Sequence, residues 1–450
     1  MEWNRLLCAD RLRRPDAIEE KGRSPFQQDI DRITFSAAFR RLANKTQVHL
    51  FSSNDHVHTR LTHSIEVASV GRSLGTLVGN EIVPGGNETR LTPDEFGCIV
   101  QAACLAHDIG NPPFGHAGEE AIQSWFSSAQ SEFSPFANNT AEERPEDFQN
   151  FQGNAQGFRI LTQLENNKCH GGLQLTYSVL GSFVKYPRAS NLLLSPTDDW
   201  PWATKMGFFK SEENYFAEAA KALGLVRRNG EQAHWCRHPL AFLVEAADDI
   251  CYSVIDIEDG YELGYVSFEE AKSILTTFAP DAYNTQSMDK TRQIAKLRAG
   301  AINKLVHECA DVFLENEKEL LNGTFRHEII KISKYKDAIR QANDLAREKL
   351  YRSDRNTKLE IAGTAMIEGF LGIFKNVVVD LINVNFDGQK LNKKSAKLAR
   401  LIGNGLVDAK STHEALMCVT DFVSGMTDRF AVDLFRTLTG ISHVTAVVPG

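Results

Sequence analysis

The sequence predicts an all-α fold, a single large domain with surface insertions. Apolar residues recur at helical spacing along most of the chain, and several of these stripes follow good helix-start residues. Two-residue hairpin signals are scarce. No internal repeat and no clear linker divides residues 1–450, so they read as one unit.

In chain order, Val48-His49-Leu50-Phe51 reads as a lone short strand. Val67, Val70, Leu74 and Leu77 form a 3-4-3 stripe within Thr62 to Leu77. Phe96, Ile99, Val100, Ala103 and Cys104 form a second stripe, opened by Thr92-Pro93-Asp94-Glu95. Residues 127–153, rich in Ser, Asn, Pro and Glu, read as a surface insertion, and residues 187–211 as irregular. Leu240 to Ile257 is apolar nearly all round and predicts a buried helix. Further helices are expected at 292–320, 328–350, 359–384, 393–403 and 413–438.

Hydrophobic residues at 42% and charged residues at 24% are ordinary for a globular protein. A formal net charge of -8 argues against a protein that coats nucleic acid. A polyanionic substrate would need a local basic pocket inside this acidic chain. The eight cysteines form no CxxC pair, which points to a reducing, cytoplasmic setting. The charged start, Met1 to Asp16, lacks a signal-peptide core. Gly369 to Phe386 is interrupted by Lys375 and Asp380, so it reads as a core helix and no membrane partner is expected.

Chemistry concentrates on the apolar stripes. His107 follows the stripe begun at Phe96 and should point inward, with Asp108 beside it and Gly110 and Pro112 ending the helix. His63 falls on the stripe of Val67, Val70 and Leu74. Asp248 lies within the nearly all-apolar third helix, where a bare carboxylate costs several kcal/mol (roughly) unless paired or metal-bound. A lone inward histidine is more often a hydrogen-bonded core residue. His63, His107, Asp108 and Asp248 together suit one divalent ion: Mg or Mn first, with Co, Ni, Fe or Zn as alternatives. Such a ligand set leaves coordination positions open for water and phosphate.

These segments resemble the HD superfamily and, within it, the deoxynucleoside triphosphate triphosphohydrolases, the dGTPases most closely. The resemblance runs from Arg23-Ser24-Pro25-Phe26 to Gly425-Met426-Thr427-Asp428-Arg429. Its most specific motifs are Arg60-Leu61-Thr62-His63-Ser64, His107 through His116, Gly153 to Gly157, Lys185-Tyr186-Pro187-Arg188 and Glu245 to Ile250. The resemblance implies an HD metal-binding core at about 58–260 and a C-terminal helical part at about 290–440. It implies the same four ligands, and a dNTP substrate, dGTP first, cleaved to deoxynucleoside and tripolyphosphate.

By the same resemblance His116 and Glu119 are the catalytic pair, at a spacing that shares a helix face. Asp248, Tyr252 and Asp256 stand at i, i+4 and i+8 and line one face. In the family that row serves metal, deoxyribose and 3′-hydroxyl. Arg60, Lys185 and Tyr186 match phosphate-binding positions, with Asn154 and Lys205 as weaker matches. Gln47 matches a position near the base. Where the mammalian relative has a lysine after the last metal aspartate, this chain has Asp249, so that phosphate contact must come from elsewhere.

Family members form hexamers or tetramers, and some respond to dNTPs or single-stranded DNA at second sites. Lys390, Lys393, Lys394, Lys397 and Arg400 are candidates for such a site, although a basic run is more often a solvated helix face. Two other readings stand beside the triphosphohydrolase. One is another HD-type phosphohydrolase or phosphodiesterase; the other is a non-catalytic nucleotide-binding regulator. The full catalytic set disfavours the regulator.

Overall fold

Capping residues start the helices that carry the site. The computed structural model describes residues 1–14, 22–47, 58–83, 91–128, 144–166, 171–192, 202, 204–228, 232–278, 288–351 and 354–441. The helices that matter here are α1 (Pro25–Thr34), α2 (Arg60–Ile82), α3 (Pro93–Ala106), α4 (His116–Ser128), α5 (Pro239–Glu262), α6 (Lys290–Glu315), α7 (Asp354–Asn383), α8 (Lys393–Ile402), α9 (Thr412–Gly425) and α10 (Asp428–Thr439). Reciprocal hydrogen bonds between Thr59 and Thr62 cap α2, and those between Thr92 and Glu95 cap α3. Pro93 and Pro239 stand at the helix starts, where a missing N–H costs nothing.

The chain is nearly all helical. Among the described residues there are only isolated β-bridges, such as Thr46 with Thr59 and Arg188 with His234. The expected strand at 48–51 lies outside the described residues. One apolar core joins α1, α2, α3, α5 and α6 through Phe26, Leu74, Phe96, Ile250 and Leu305. A second joins α4 to α7, α9 and α10 through Ile122, Phe374, Leu416 and Ala431.

Several predicted helices are subdivided. The 292–320 expectation becomes α6 and a short helix Glu317–Asn322, because Asn316 donates its side-chain N–H to Val312 O (2.7 Å) and interrupts the ladder. The 328–350 expectation becomes Ile329–Ile332, Lys336–Ala346 and a wider turn Arg347–Tyr351. The 413–438 expectation splits into α9 and α10. Met426 is extended (φ -64°, ψ 151°) and Thr427 caps the next helix through Phe430 N (3.3 Å). The 127–153 stretch is not all surface. Phe148 and Phe151 are buried in the second core, and the Asp147 carboxylate receives Lys210 N (2.6 Å) and pairs with His413 (3.0 Å).

The glycines of α2 set the distance to α3. Gly71, Gly75 and Gly79 lie one turn apart on the face toward α3. A Cβ at Gly75 would stand 2.8 Å from Phe96 O and 2.9 Å from Gly97 Cα, which are backbone atoms that cannot swing away. Alanine gains about 1 kcal/mol of helix propensity over glycine, and overpacking costs about 1–3 kcal/mol. Gly75→Ala is therefore expected to lower stability, by up to about 2 kcal/mol. Gly372→Ala, in α7 with nothing within 4 Å of its Cβ, should raise it by up to about 1 kcal/mol. Urea unfolding midpoints of the two variants test this opposition in sign.

Candidate active site

Close packing of α2 and α3 against α5 brings the ring nitrogens and carboxylates together. His107 caps the C-terminus of α3 and donates its Nδ1–H to Cys104 O (2.7 Å), which leaves Nε2 facing the centre. His63 Nε2 lies 3.1 Å from Asp248 Oδ1, and His107 Nε2 lies 3.7 Å from the same oxygen. His63, His107 and Asp248 thus offer ligand atoms within 4.8 Å of one another. Asp108 adjoins them, with Oδ1 3.6 Å from His107 Nε2, while its Oδ2 accepts from Arg60 Nη1 (2.7 Å). Neutral imidazole and ionised carboxylate suit a borderline or hard divalent ion, so the donor set fits.

The charges of the cluster hold one another. Burial opposes ionisation of Asp108, but Arg60, His107 and His63 more than offset it and hold its pKa at about 2. Burial likewise opposes a charge on Asp248, yet His107, His63 and Lys185 keep that carboxyl well below the usual range. His63 is pushed up in spite of burial by the facing Asp248. Lys185 Nζ lies 3.6 Å from Asp248 Oδ2 and 3.9 Å from Glu245 Oε1. Its ammonium therefore stands beside the metal-ligand cluster, where Asp249 supplies no cation.

A cavity of about 470 Å³ opens onto this cluster. It is lined by His107, Asp108 and Asp248, by the predicted Gln47, Arg60, Asn154, Lys185, Tyr186 and Lys205, and by His116, Glu119 and Tyr252. His63 stands behind the wall, joined to it through Asp248. At the start of α4 the His116 side chain is 86% exposed, and its Nδ1–H donates to Glu119 Oε2 (3.0 Å). Glu119 Oε1 also accepts from Gly153 N (2.5 Å), so the carboxylate is fixed from two sides. The Glu119 hydrogen bond raises the pKa of His116. Burial works against an ionised Glu119, but His116 and the Gly153 amide pull its pKa down.

Asp256 does not line the cavity. It is buried behind Tyr351, whose hydroxyl donates to Asp256 Oδ2. Tyr351 does line the cavity, and its ring stacks on Tyr252 with centroids 5.9 Å apart and planes at 12°. No motif in the sequence marks Tyr351; only the fold returns the end of the 336–351 segment to α5. Asn111, which donates to Asp108 Oδ1 (2.5 Å), was also missed as a separate partner, although it lies within the His107–His116 motif. Lys393, Lys394, Lys397 and Arg400 lie on α8, Lys390 pairs with Asp387 (2.9 Å), and none of the five lines the cavity.

A helical frame with a His, His-Asp and Asp cluster at the junction of α2, α3 and α5 defines an HD-domain protein, and the HD domain family matches residues 60–150. HD domains bind divalent metals, which agrees with the donor set here. A deoxyguanosinetriphosphate triphosphohydrolase-like protein of Synechocystis is 40% identical over 450 residues, covering 98% of this chain and 100% of that one. A protein of the same description from Pseudomonas aeruginosa is 40% identical over 452 residues, 98% of this chain and 99% of that one. An Enterobacter protein described as deoxyguanosinetriphosphate triphosphohydrolase is 30% identical over 489 residues, 92% and 94% of the two chains. The chain belongs to this dGTP triphosphohydrolase-like family and is an HD-domain hydrolase. No helix among the described residues is long and apolar enough to cross a membrane.

Asp256 gives the site a measurable pH signature. Burial, with repulsion from Asp259, outweighs the Tyr351 hydrogen bond and pushes its carboxyl up to about 7. In the unfolded chain it ionises near pH 3.9 (roughly). The folded state therefore binds more protons between these values, and the associated stability is full below about pH 4 and lost as the pH rises through 7. Asp256→Asn should lack this component. Calorimetric melting of both proteins in chelator tests it: wild type should lose Tm relative to the variant from pH 4 to 7 (roughly), and parallel profiles would contradict it.

Proposed function

We propose that this enzyme hydrolyses a deoxynucleoside triphosphate, dGTP first, to deoxynucleoside and tripolyphosphate. The observation that carries the reading is one cavity shared by the His/Asp cluster, the half-buried cations Arg60 and Lys185, and the His116–Glu119 pair. Its volume, about 470 Å³, falls in the range of small-molecule sites. The printed descriptions of the relatives point to the same substrate class.

His63, His107, Asp108 and Asp248 would hold a divalent ion, which supplies Lewis-acid neutralisation of phosphate charge and polarises water. The P–O5′ bond breaks, the oxygen of water joins the α-phosphorus, and a proton passes to O5′. His116, held by Glu119, moves a proton at this bond. Arg60 and Lys185 turn toward the phosphates and offset charge that grows in the transition state. Lys205, Asn154 and Tyr186 line the same phosphate end.

The sugar packs on Tyr252, whose ring leaves no room for a 2′-hydroxyl. Tyr351 and Asp256 act as a unit on the 3′-hydroxyl, with the tyrosine at the wall and the carboxylate behind it. At the base end, Gln47 Oε1 is a buried acceptor with no hydrogen-bond partner among the described residues. Guanine can meet this acceptor through N1–H or N2–H, as other bases can through their own donors, so dGTP comes first from the relatives' descriptions.

The deciding experiment incubates each dNTP with Mg²⁺ or Mn²⁺ and identifies the phosphate product. Tripolyphosphate is expected; release of orthophosphate would move the protein to another HD-type phosphohydrolase. Asp248→Ala should lose metal, by elemental analysis, together with activity. His116→Ala should keep metal and lose about 10²-fold or more in kcat.

Sugar recognition has its own test, kcat/KM for matched dNTP, NTP and ddNTP. Wild type should disfavour both analogues, the ddNTP by roughly tenfold to a few hundredfold. Tyr252→Ala should relax the bias against NTP. Tyr351→Phe and Asp256→Asn should each weaken 3′-hydroxyl dependence, and the double variant should add little, as for coupled partners. Equal turnover of dNTP and NTP by wild type would remove the deoxyribose assignment.

A further inference from the structure

The break between α9 and α10 puts a buried carboxylate against two loops that line the cavity. Asp428 opens α10 and is 3% exposed. Its Oδ1 accepts from Phe114 N (3.0 Å) and its Oδ2 from Thr46 N (2.8 Å). Phe114 lies in the turn that leads into His116, and Thr46 immediately precedes Gln47. One side chain of the C-terminal helices thus joins the segments that carry the two ends of the cavity. Capping of α10 does not require it, because Thr427 already accepts from Phe430 N (3.3 Å).

Backbone strain marks the turn it holds. Phe114 has φ +66°, a left-handed conformation that is strained for a non-glycine residue. The amide at this strained residue is the one Asp428 receives. The Phe114 ring is held from the same side, by α7, where a Cβ on Gly363 would stand 2.7 Å from the ring Cγ. Lys45 adds a second tie across the same junction, donating Nζ–H to Asn111 O (2.5 Å) and Ser424 O (3.0 Å). A charge-assisted bond to an amide is stronger than a neutral one and so acts against the strain at Phe114.

We propose that Asp428 is a positioning residue, whose carboxylate fixes the Pro112–His116 turn against the Lys45–Gln47 arm so that His116 and Gln47 face one cavity. The chemistry it serves rests on the function proposed above; the positioning itself does not need turnover to be observed.

The test uses the full-length protein with ¹³C-labelled histidine and follows the His116 ring through a pH titration by NMR, its signal assigned with His116→Gln. Wild type, Asp428→Ala and Asp428→Asn are compared, with melting temperature and metal content measured alongside. In wild type the His116 ring should titrate above the ordinary value of about 6.5. In Asp428→Ala the turn loosens, and the titration should move back toward that value with metal content unchanged. Asp428→Asn, nearly isosteric, offers one acceptor for two N–H groups and should fall between; it carries the test if the alanine variant does not fold. Where wild type turns over dNTP, kcat should fall about 10–10²-fold in Asp428→Ala, with KM for dGTP also raised through Gln47. An unshifted His116 titration in both folded variants would overturn the proposal, even if their activity fell. A shifted titration in a wild-type protein that hydrolyses no dNTP would uphold the positioning role and reject the proposed substrate.

Discussion

A carboxylate inside an apolar helix cannot be left alone, and the rest of the molecule is arranged around that constraint. Asp248 lies on α5 between Ala247 and Ile250, both fully buried. The Asp248 side chain is 27% exposed toward the cavity, yet withdrawing even part of a carboxylate from water is unfavourable unless partners replace the hydration. Two imidazoles and an ammonium do so here, each delivered by a different element: His63 by α2, His107 by the end of α3, and Lys185 by the segment after Phe183. The delivery depends on the glycine face of α2, since any side chain there would push α3 and its His107 outward. Core packing and site chemistry are therefore one structure, and a change to either is felt by both.

The C-terminal helices extend this dependence to the His116–Glu119 pair. α4 begins at His116 and buries its apolar face in the second core with α7 and α9, not in the core that holds the histidine cluster. His116 and the cluster are thus carried by different cores, and their registration depends on the polar ties between them. Those ties are concentrated at the HD turn. Gly110 presses on Gly153 and Gly157, where a Cβ would stand 2.0 Å from Gly153 O. Gly153 in turn donates its amide to Glu119. The path from the His/Asp cluster to the His116–Glu119 pair runs largely through backbone, which can be placed more tightly than long side chains.

Legibility in the sequence followed the same physics. Inward positions of strongly periodic helices were readable, because periodicity fixes direction: His63 on the Val67 stripe and His107 on the Phe96 stripe both point into the cluster. Capping pairs such as Thr92 with Glu95 were readable for the same local reason. Breaks were less so. Asn316 and Met426 interrupt helices through side-chain and loop geometry that leaves the apolar spacing on either side intact, so a continuous helix was expected in each case. The i, i+4, i+8 row of α5 placed Asp248 and Tyr252 on one face, but it could not reveal that Tyr351 would stand between Asp256 and the cavity. That contact joins residues far apart in sequence, and no local pattern encodes it. Burial of Phe148 and Phe151 within a polar-rich stretch was hidden similarly, since composition averages over the two aromatic residues that dock.

The cations of the site raise the last question, how an acidic chain presents positive charge to a polyanion. Net charge is -8, so the field of the whole surface does not attract phosphate. Arg60 and Lys185 are instead stored against the carboxylates Asp108 and Asp248. Two half-buried cations without such partners would each carry an uncompensated desolvation cost. Paired with candidate metal ligands, they stay neutralised while the site is unliganded. Under the proposed reading, a divalent ion takes over the carboxylates as the phosphates take over Arg60 and Lys185. Every charge then changes partner and none is left bare. The exchange explains why the phosphate-facing cations sit so near the metal ligands, and why Asp249 in the place of a lysine is tolerated. What the site requires is a cation within reach of Asp248, and Lys185 meets that need from another element.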